Sequence, residues 1–391
     1  MISPDDDERD LDRLVSELNA SDLHAARDVA KLQAWLAALR AAGGSDLYLV
    51  AGVPPSIRVN GVVRSLTGAL LDGDEIEESI LPALPPHAVE RYRRSGAADA
   101  SFRRDAGGRF RINLHRERGR AAASIRALPL HPPQLGELAL PPSVEALTRL
   151  PYGLVLVGGP TGSGKSTTVA ALVDAINRRD AKHIVTIEDP IEYEHPHHRS
   201  IVEQVEIGID APDFVTALRS AVRQSPDVIV VGEMRDPETM RMALAAGETG
   251  HLVFSTLHTS DVASTISRVS DAFPPERQTS IRQELSMALA AVMTQALLPK
   301  AGGGRIPAAE LLMVGYGARQ HIRKNALQHL HQEITITRGN GSFTFEECLA
   351  QLVRRGVLNI EDARARSVHR DELDGLLTAL PAARSPLRAE P

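Results

Sequence analysis

A glycine-rich stretch ending in lysine and serine carries the clearest chemistry in the sequence. Residues 159–166 fit the pattern GxxxxGK[ST] in full. Glycines at this spacing let backbone N–H groups curl around phosphates, which the lysine also reaches, and the serine hydroxyl is a Mg²⁺ ligand. The sequence therefore predicts an ATP and Mg²⁺ site, with Ser166 as a metal ligand. The predicted nucleotide-binding residues are Gly159, Pro160, Thr161, Gly162, Ser163, Gly164, Lys165, Ser166 and Thr167.

Acidic and histidine side chains follow three other short apolar runs. Glu188 and Glu192 follow one run, Glu233 the next and His258 the last, which His251 precedes. In open α/β sheets, ligands bind where the strands end. Glu233 is expected to hold the Mg²⁺ shell, and Glu192 or Glu188 to polarise the attacking water, a choice that the residues leave open. The histidines fit either a γ-phosphate contact or hydrogen-bonded core positions.

The elements around these groups indicate an α/β fold with more than one domain. Runs without alternation, at 154–157, 184–187, 228–231 and 252–254, predict parallel strands buried on both faces. Residues 287–298 predict a buried helix, and Asn-Gly at 60–61 predicts a hairpin. The predicted domains are an acidic, helical extension (1–43), an α+β domain (44–128), a Pro-rich linker (129–142), an ATPase domain with C-terminal helices (143–380) and a disordered tail (381–391).

Composition narrows the class of protein. The chain has 391 residues, of which 43% are hydrophobic, which predicts a folded protein. Its net charge of −6 argues against a chain-wide surface for nucleic acid, though not against a local basic groove, and we expect no nucleic-acid partner. The one cysteine excludes an internal disulfide and a multi-cysteine zinc site. The start of the chain is acidic and no apolar run approaches the roughly 20 residues of a membrane span, so we expect a cytoplasmic protein without a transmembrane segment.

Longer strings resemble the type II/IV secretion ATPase superfamily, and most closely the PilT-like retraction ATPases of type IV pili. Residues 187–193 (Ile-Glu-Asp-Pro-Ile-Glu-Tyr) resemble the family's Asp box, and residues 227–236 resemble its Walker B motif. Residues 248–259 are similar to its His box, and residues 45–61 to its opening. The resemblance implies a RecA-like P-loop ATPase domain preceded by a smaller PAS-like α+β domain.

The resemblance also assigns roles. It implies a homo-hexamer in which ATP binds between the two domains of each subunit. It also implies that the partner is an inner-membrane pilus platform protein, so that the motor is peripheral at the inner membrane. It makes Glu192, rather than Glu188, the catalytic glutamate, and places His258 in catalysis and both Glu188 and His251 in nucleotide binding. Arg111 and Arg126 carry over as catalytic arginines that contact phosphate, with Arg118 as a substitute.

Several alternatives remain within and outside this family. The segment 317–322 (Gly-Ala-Arg-Gln-His-Ile) departs from the Ala-Ile-Arg-Asn-Leu-Ile of the retraction motors, which leaves an accessory, non-retracting pilus motor as an alternative. A pilus-assembly or type II secretion ATPase usually carries a four-cysteine zinc module, which this chain lacks. A nucleotide-sensing protein and a DNA translocase are the alternatives from other classes.

Overall fold

The computed structural model describes residues 30–66, 68–104 and 108–378. The predicted tail over 381–391 and the acidic start of the chain lie outside these ranges. The chain divides into two compact units, one ending at Leu130 and one beginning at His131. Within the described ranges, no helix combines the length and apolar character that a membrane crossing requires.

The first unit is built on a six-stranded antiparallel sheet. Its strands are β1 (Asp46–Val50), β2 (Ser56–Val59), β3 (Val62–Ser65), β4 (Ala97–Arg104), β5 (Gly108–Glu117) and β6 (Arg120–Leu128), and its helices are α1 (residues 30–41), α2 (Gly73–Ile80) and α3 (Pro86–Ser95). The strand order is β3-β2-β1-β6-β5-β4. Asn60 and Gly61, between β2 and β3, both have positive φ angles, so the predicted hairpin is confirmed.

Helix α1 belongs to the core of this first unit. Leu32, Leu36 and Leu39 are fully buried in the same apolar cluster as the leucines of β1. The sequence analysis placed this helix in an extension that ends at residue 43. The structure instead packs its described part into the unit, because leucines spaced by three and four residues form one apolar face that must be covered.

The second unit is built on a seven-stranded, mostly parallel sheet. Its strands are β7 (Gly153–Gly158), β8 (His183–Glu188), β9 (Ile201–Glu206), β10 (Val228–Val231), β11 (Leu252–Leu257), β12 (Leu289–Pro299) and β13 (Arg305–Met313). The order is β13-β12-β7-β11-β10-β8-β9, and only β13 pairs antiparallel with its neighbour. The four predicted strands correspond to β7, β8, β10 and β11.

The helix predicted over residues 287–298 is wrong. A helix over Pro275–Ala288 ends there, and β12 begins at Leu289. Alanine, leucine and methionine favour a helix intrinsically, but this run hydrogen-bonds to β7 on one side and to β13 on the other. Tertiary pairing therefore overrides local propensity.

Helices cover both faces of this sheet. They are α4 (Lys165–Arg179), α5 (Phe214–Ala221), α6 (Pro237–Glu248), α7 (Val262–Asp271), α8 (Pro275–Ala288), α9 (Tyr316–Arg323), α10 (Leu330–Ile336), α11 (Phe345–Arg354), α12 (Ile360–Arg366) and α13 (Arg370–Thr378). Alternate residues of the strands belong to two apolar clusters, one with α5 to α8 and one with α4 and α11 to α13. Within the Pro-rich segment, Leu135 and Leu140 pack on the second cluster, which attaches that part of the segment to the second unit.

Candidate active site

Four neighbouring strands of the second unit bring polar groups to one edge of the sheet. Strands β7, β11, β10 and β8 lie side by side and parallel, so their carboxyl ends meet at this edge. This edge is where open α/β sheets bind ligands. The groups gathered there are the loop 159–166 after β7, His258 after β11, Glu233 after β10, and Glu188 with Glu192 at and after the end of β8.

The loop 159–166, called the phosphate loop below, joins buried β7 to the start of α4. Gly162 and Gly164 have φ angles of +76° and +90°, a region that glycine adopts without strain. Gly164 is also the N-cap of α4. The free N–H groups and the positive dipole end of α4 therefore face the loop, as an anion site requires.

Lys165 connects this loop to the acids. Its side chain is buried, and its Nζ donates to the carbonyl oxygens of Gly159 at 2.8 Å and Pro160 at 3.0 Å. Burial lowers the pKa of Lys165, and the negative charges of Glu233 and Glu192 partly offset this effect. Both carboxylates thus act on the ammonium group that the sequence assigns to the phosphates.

Two hydroxyl groups tie the phosphate loop and the first turn of α4 to neighbouring segments. The Oγ1 of Thr161 lies 3.5 Å from Nδ1 of His258. The Oγ1 of Thr167 lies 2.8 Å from the hydroxyl oxygen of Tyr193. The segments after β11 and β8 therefore both hydrogen-bond to the region that carries the glycines and Lys165.

Glu233 contacts the side chains of Arg235 and His258. Its Oε2 lies 2.8 Å from Nη2 of Arg235, and its Oε1 lies 3.1 Å from Nε2 of His258. Burial raises the pKa of Glu233, but the hydrogen bond from Arg235 and the positive charges of Arg235, His258 and Lys165 outweigh it, so the pKa is lowered. Glu233 is therefore a carboxylate at neutral pH, as a Mg²⁺ ligand must be.

Glu188 and Glu192 differ sharply in their surroundings. Oε1 of Glu188 accepts hydrogen bonds from Thr186 at 2.8 Å and Gln204 at 3.3 Å, and Oε2 accepts from the backbone N–H of Glu192 at 3.3 Å. Burial raises the pKa of Glu188. The side chain of Glu192 is exposed, and its charge acts on Lys165. Glu188 thus holds the backbone of the segment from which the Glu192 carboxylate projects.

The oxygen groups at this edge fit a Mg²⁺ ion that is completed by nucleotide phosphates and water. Ser166 lies in the first turn of α4, and Glu233 supplies a carboxylate from the neighbouring part of the edge. In the described ranges, no group of three or more histidine, cysteine or acidic side chains is placed to cage a metal. Mg²⁺ is commonly bound through one or two protein oxygens together with substrate phosphates, so such a cage is not needed. The Oγ of Ser163 is buried without a hydrogen-bond partner, as expected for a loop that awaits a polar ligand.

His251, in contrast, is not brought to this edge. It precedes β11, and its backbone oxygen accepts from Gly153 at the start of β7, so it lies at the amino edge of the sheet. Its Nδ1 lies 3.1 Å from the carbonyl oxygen of Ala246. His251 therefore does not belong to the nucleotide site of its own subunit, contrary to the prediction, because the six-residue strand β11 separates it from His258.

Arg111 and Arg126 belong to the first unit, where they are direct partners across β5 and β6. The Nη2 of Arg111 lies 3.5 Å from Asp99, and the Nε of Arg126 lies 3.0 Å from Asp46. Both arginine side chains are exposed. Each arginine therefore pairs with a carboxylate while much of its side chain stays accessible.

Comparison with known proteins identifies the family. The family described as type II/IV secretion system protein matches residues 127–358. The "type IV pilus retractation ATPase PilT" of Pseudomonas aeruginosa is 41% identical over 325 residues, which cover 83% of this chain and 94% of the relative. The chain belongs to this family. A "twitching motility protein" of Neisseria gonorrhoeae is 38% identical over 327 residues, covering 83% of this chain and 87% of the relative.

A solved structure of this family has the same fold. The crystal structure of the pilus retraction motor PilT with bound ADP has a TM-score of 0.79 and 42% identity, and the match covers 87% of this chain and 98% of that one. The predicted fold class, an α/β ATPase domain preceded by a smaller α+β domain, is confirmed, and so is the resemblance to the PilT-like ATPases.

The sequence analysis missed polar residues that position the family's motifs here. Gln204 on β9 donates to the backbone oxygen of Tyr193 at 2.9 Å and accepts from the N–H of His195 at 2.8 Å. Gln295 on β12 contacts the phosphate loop from another strand. The only signal for Gln295 was a polar residue inside an apolar run, which the sequence analysis treated as an interruption of a helix.

Proposed function

We propose that this chain is a homo-hexameric motor ATPase that couples ATP hydrolysis to the retraction of a type IV pilus. The chemistry rests on one observation: parallel strands bring the phosphate loop at the start of α4, Glu233 and the segment that carries Glu192 to the same edge of the sheet. The relatives named for pilus retraction and twitching support the biological role.

The residues of the site divide the work of hydrolysis. Backbone N–H groups of the phosphate loop and the Lys165 ammonium hold the phosphates. The exposed Glu192 carboxylate orients a water molecule for in-line attack and accepts its proton, while Glu188 fixes the backbone N–H of Glu192. Ser166 and Glu233 would hold Mg²⁺, which neutralises phosphate charge when bound. His258 connects Glu233 to Thr161 and is placed to respond when the γ-phosphate leaves.

Arg111 and Arg126 provide positive charge to a nucleotide held by another subunit in this proposal. Both side chains are exposed and are directly opposite each other across β5 and β6, which supports this role. An arginine that reaches a transferring phosphoryl group stabilises its developing negative charge. The site is then complete only in an oligomer, which agrees with a hexameric ring.

The partner in this proposal is an inner-membrane pilus platform protein, and the motor is cytoplasmic and peripheral at the pilus base. An accessory, non-retracting motor is the second candidate, since residues 317–322 depart from the retraction motif. In the structure these residues lie in α9, where Arg319 donates hydrogen bonds to the carbonyl oxygens of Ser286 and Met287 at the end of α8. The arginine of the motif thus has a structural contact that either kind of motor could use.

ATP turnover by the purified hexamer tests the enzymatic part. We expect Lys165→Ala to abolish nucleotide binding, and Glu192→Gln to retain binding but lose roughly 100-fold or more in kcat. A wild-type protein no faster than Glu192→Gln would favour a nucleotide-sensing protein. DNA-stimulated turnover would favour a translocase.

A deletion strain tests the cellular part. Cells with extra surface pili and no twitching would support retraction. Unchanged piliation with weakened twitching would favour the accessory motor, and cells without pili would favour an assembly ATPase. Complementation by wild-type protein, with Glu192→Gln as the inactive control, separates motor activity from loss of the protein itself.

A further inference from the structure

A buried glutamine on β12 contacts the phosphate loop with both ends of its amide. The side chain of Gln295 is 4% exposed. Its Nε2 donates to the carbonyl oxygen of Ser163 at 2.7 Å, and its Oε1 accepts from the hydroxyl of Thr168 at 2.7 Å. Since a carbonyl oxygen only accepts hydrogen bonds, the NH₂ group of Gln295 must face Ser163.

This contact fixes the direction of one peptide group of the loop. In a trans peptide the C=O and N–H groups point in opposite directions. The carbonyl of Ser163 points toward Gln295, so the N–H of Gly164 points away from it. Gly164 is the N-cap of α4, so this N–H belongs to the group of free amides at the helix start that an anion contacts.

Both ends of the loop approach Gln295 so closely that a side chain would not fit. A Cβ atom on Gly159 would lie 2.4 Å from the backbone oxygen of Gln295. A Cβ atom on Gly164 would lie 2.8 Å from its Nε2. Two of the motif's three glycines are therefore packed against this single residue, which makes it the support on which the loop rests.

We propose that Gln295 is a positioning residue for phosphate binding. Thr168 holds the Oε1 of Gln295, and the Nε2 of Gln295 holds the carbonyl of Ser163, so that the N–H of Gly164 faces the phosphates of the nucleotide. This inference rests on the proposed function, because it assumes that the loop binds nucleotide. Thr168 is itself buried on α4, so the relay runs from the helix through β12 and back to the loop.

Two pairs of variants in the full-length hexamer test the relay. Gln295→Glu places a carboxylate oxygen against the Ser163 carbonyl, and Gln295→Met removes both hydrogen bonds at similar volume. Thr168→Val removes the hydroxyl that holds Gln295, whereas Thr168→Ser keeps it. The measurements are the Kd for ADP, the KM and kcat for ATP, and the thermal midpoint.

We expect Gln295→Glu to raise the Kd for ADP and the KM for ATP by roughly tenfold, with kcat within about threefold of wild type, since the phosphate contact is made before and during the reaction. Gln295→Met and Thr168→Val should raise KM by about three- to tenfold, and Thr168→Ser should restore it. The matched control is Thr337→Val, which loses buried hydrogen bonds to Glu333 and Ser342 remote from the loop and should change only the thermal midpoint.

The outcomes separate the inference from the proposed function. If Thr168→Val lowers the thermal midpoint while KM stays at the wild-type value, the contact between Thr168 and Gln295 has only a structural role and the inference is overturned. Equal KM values for Thr168→Val and Thr168→Ser would overturn it as well, even if the Gln295 variants fail to fold. A wild-type protein that binds no ADP or ATP would overturn the proposed function together with this inference.

Discussion

Replacing Glu188 with glutamine tests how the acidic segment after β8 is held. Oε1 of Glu188 accepts two hydrogen bonds, from Thr186 and Gln204, and Oε2 accepts one from the N–H of Glu192. Glutamine keeps two of the three if its oxygen takes the position of Oε1. Its NH₂ group then faces the N–H of Glu192, so the loss falls on the residue proposed to activate water.

The size of the effect follows from these contacts. The NH₂ group of the introduced glutamine and the N–H of Glu192 are both donors, and placing them face to face costs about 1–3 kcal/mol of free energy. A bias of 1–2 kcal/mol against the native position of Glu192 corresponds to roughly a 5–30-fold lower population, and we expect kcat to fall by this factor. Glu192→Gln, which removes the carboxylate itself, should cost roughly 100-fold or more.

Stability should respond differently from turnover. Burial raises the pKa of Glu188 above 4.5, so the unfolding free energy of the wild-type protein falls as pH rises through that raised pKa. Glutamine has no charge to bury, so the free-energy cost of ionising residue 188 disappears. This gain offsets the loss of the hydrogen bond from the N–H of Glu192. We therefore expect a thermal midpoint within about 4 °C of wild type at neutral pH.

Steady-state ATP turnover and calorimetry on the same preparations measure both effects. The matched control is Glu346→Gln, a buried glutamate among the C-terminal helices whose Oε1 alone accepts from Ser367, Val368 and His369, so glutamine keeps every bond. It should retain wild-type kcat. A Glu188→Gln variant as inactive as Glu192→Gln would refute the division of roles and assign the activation of water to Glu188.

Three further predictions address charge, packing and the first unit. The stability supplied by the ion pairs of Glu233 is present above pH 4.5, the ordinary pKa of glutamate, and is lost as pH falls through its lowered pKa, so Glu233→Gln should flatten the pH dependence of denaturant unfolding at acidic pH. Phe254→Ala empties a fully buried site on β11 and should lower the unfolding free energy by about 3–5 kcal/mol in the same assay; a loss below about 1 kcal/mol would contradict the close packing described. Arg126→Ala should lower kcat by roughly 1000-fold with unfolding unchanged within about 0.5 kcal/mol, whereas Arg64→Ala on exposed β3 should leave kcat intact; equal turnover in both variants would exclude the proposed role of Arg126.

The sequence was sufficient for the parts of the fold that rest on local patterns. Short runs rich in valine and isoleucine identified the central strands because both of their faces are buried, and Asn60-Gly61 identified a hairpin through its turn geometry. Strand β12 was missed because its alanine, leucine and methionine residues fit a buried helix equally well. The predicted boundary between the extension and the first domain was placed at residue 43 because two glycines follow the helical pattern there. Leu32, Leu36 and Leu39 before it nevertheless pack in the core of the first unit.

The residues of the site likewise divide into those that local sequence patterns predicted and those that they could not. The phosphate loop is continuous in the chain, and the acids could be placed because each follows a strand of the same sheet. Gln295 and Ser163 are 132 positions apart, so no local pattern connects them. The resemblance to the His box assigned His251 to the nucleotide, but within the subunit the buried strand β11 lies between His251 and His258.

Strand β11 connects the two edges of the second unit's sheet through buried backbone. The seven steps along the strand from His251 to His258 span about 23 Å at roughly 3.3 Å per residue. All six strand residues are buried between neighbouring strands, and close-packed interiors do not deform continuously. A strand held in this way cannot stretch or slide freely against its neighbours, so a displacement at the His258 end would carry the His251 end with it. Loosening the packing around β11 would therefore weaken this connection between the two edges of the sheet without changing the residues that follow the strand.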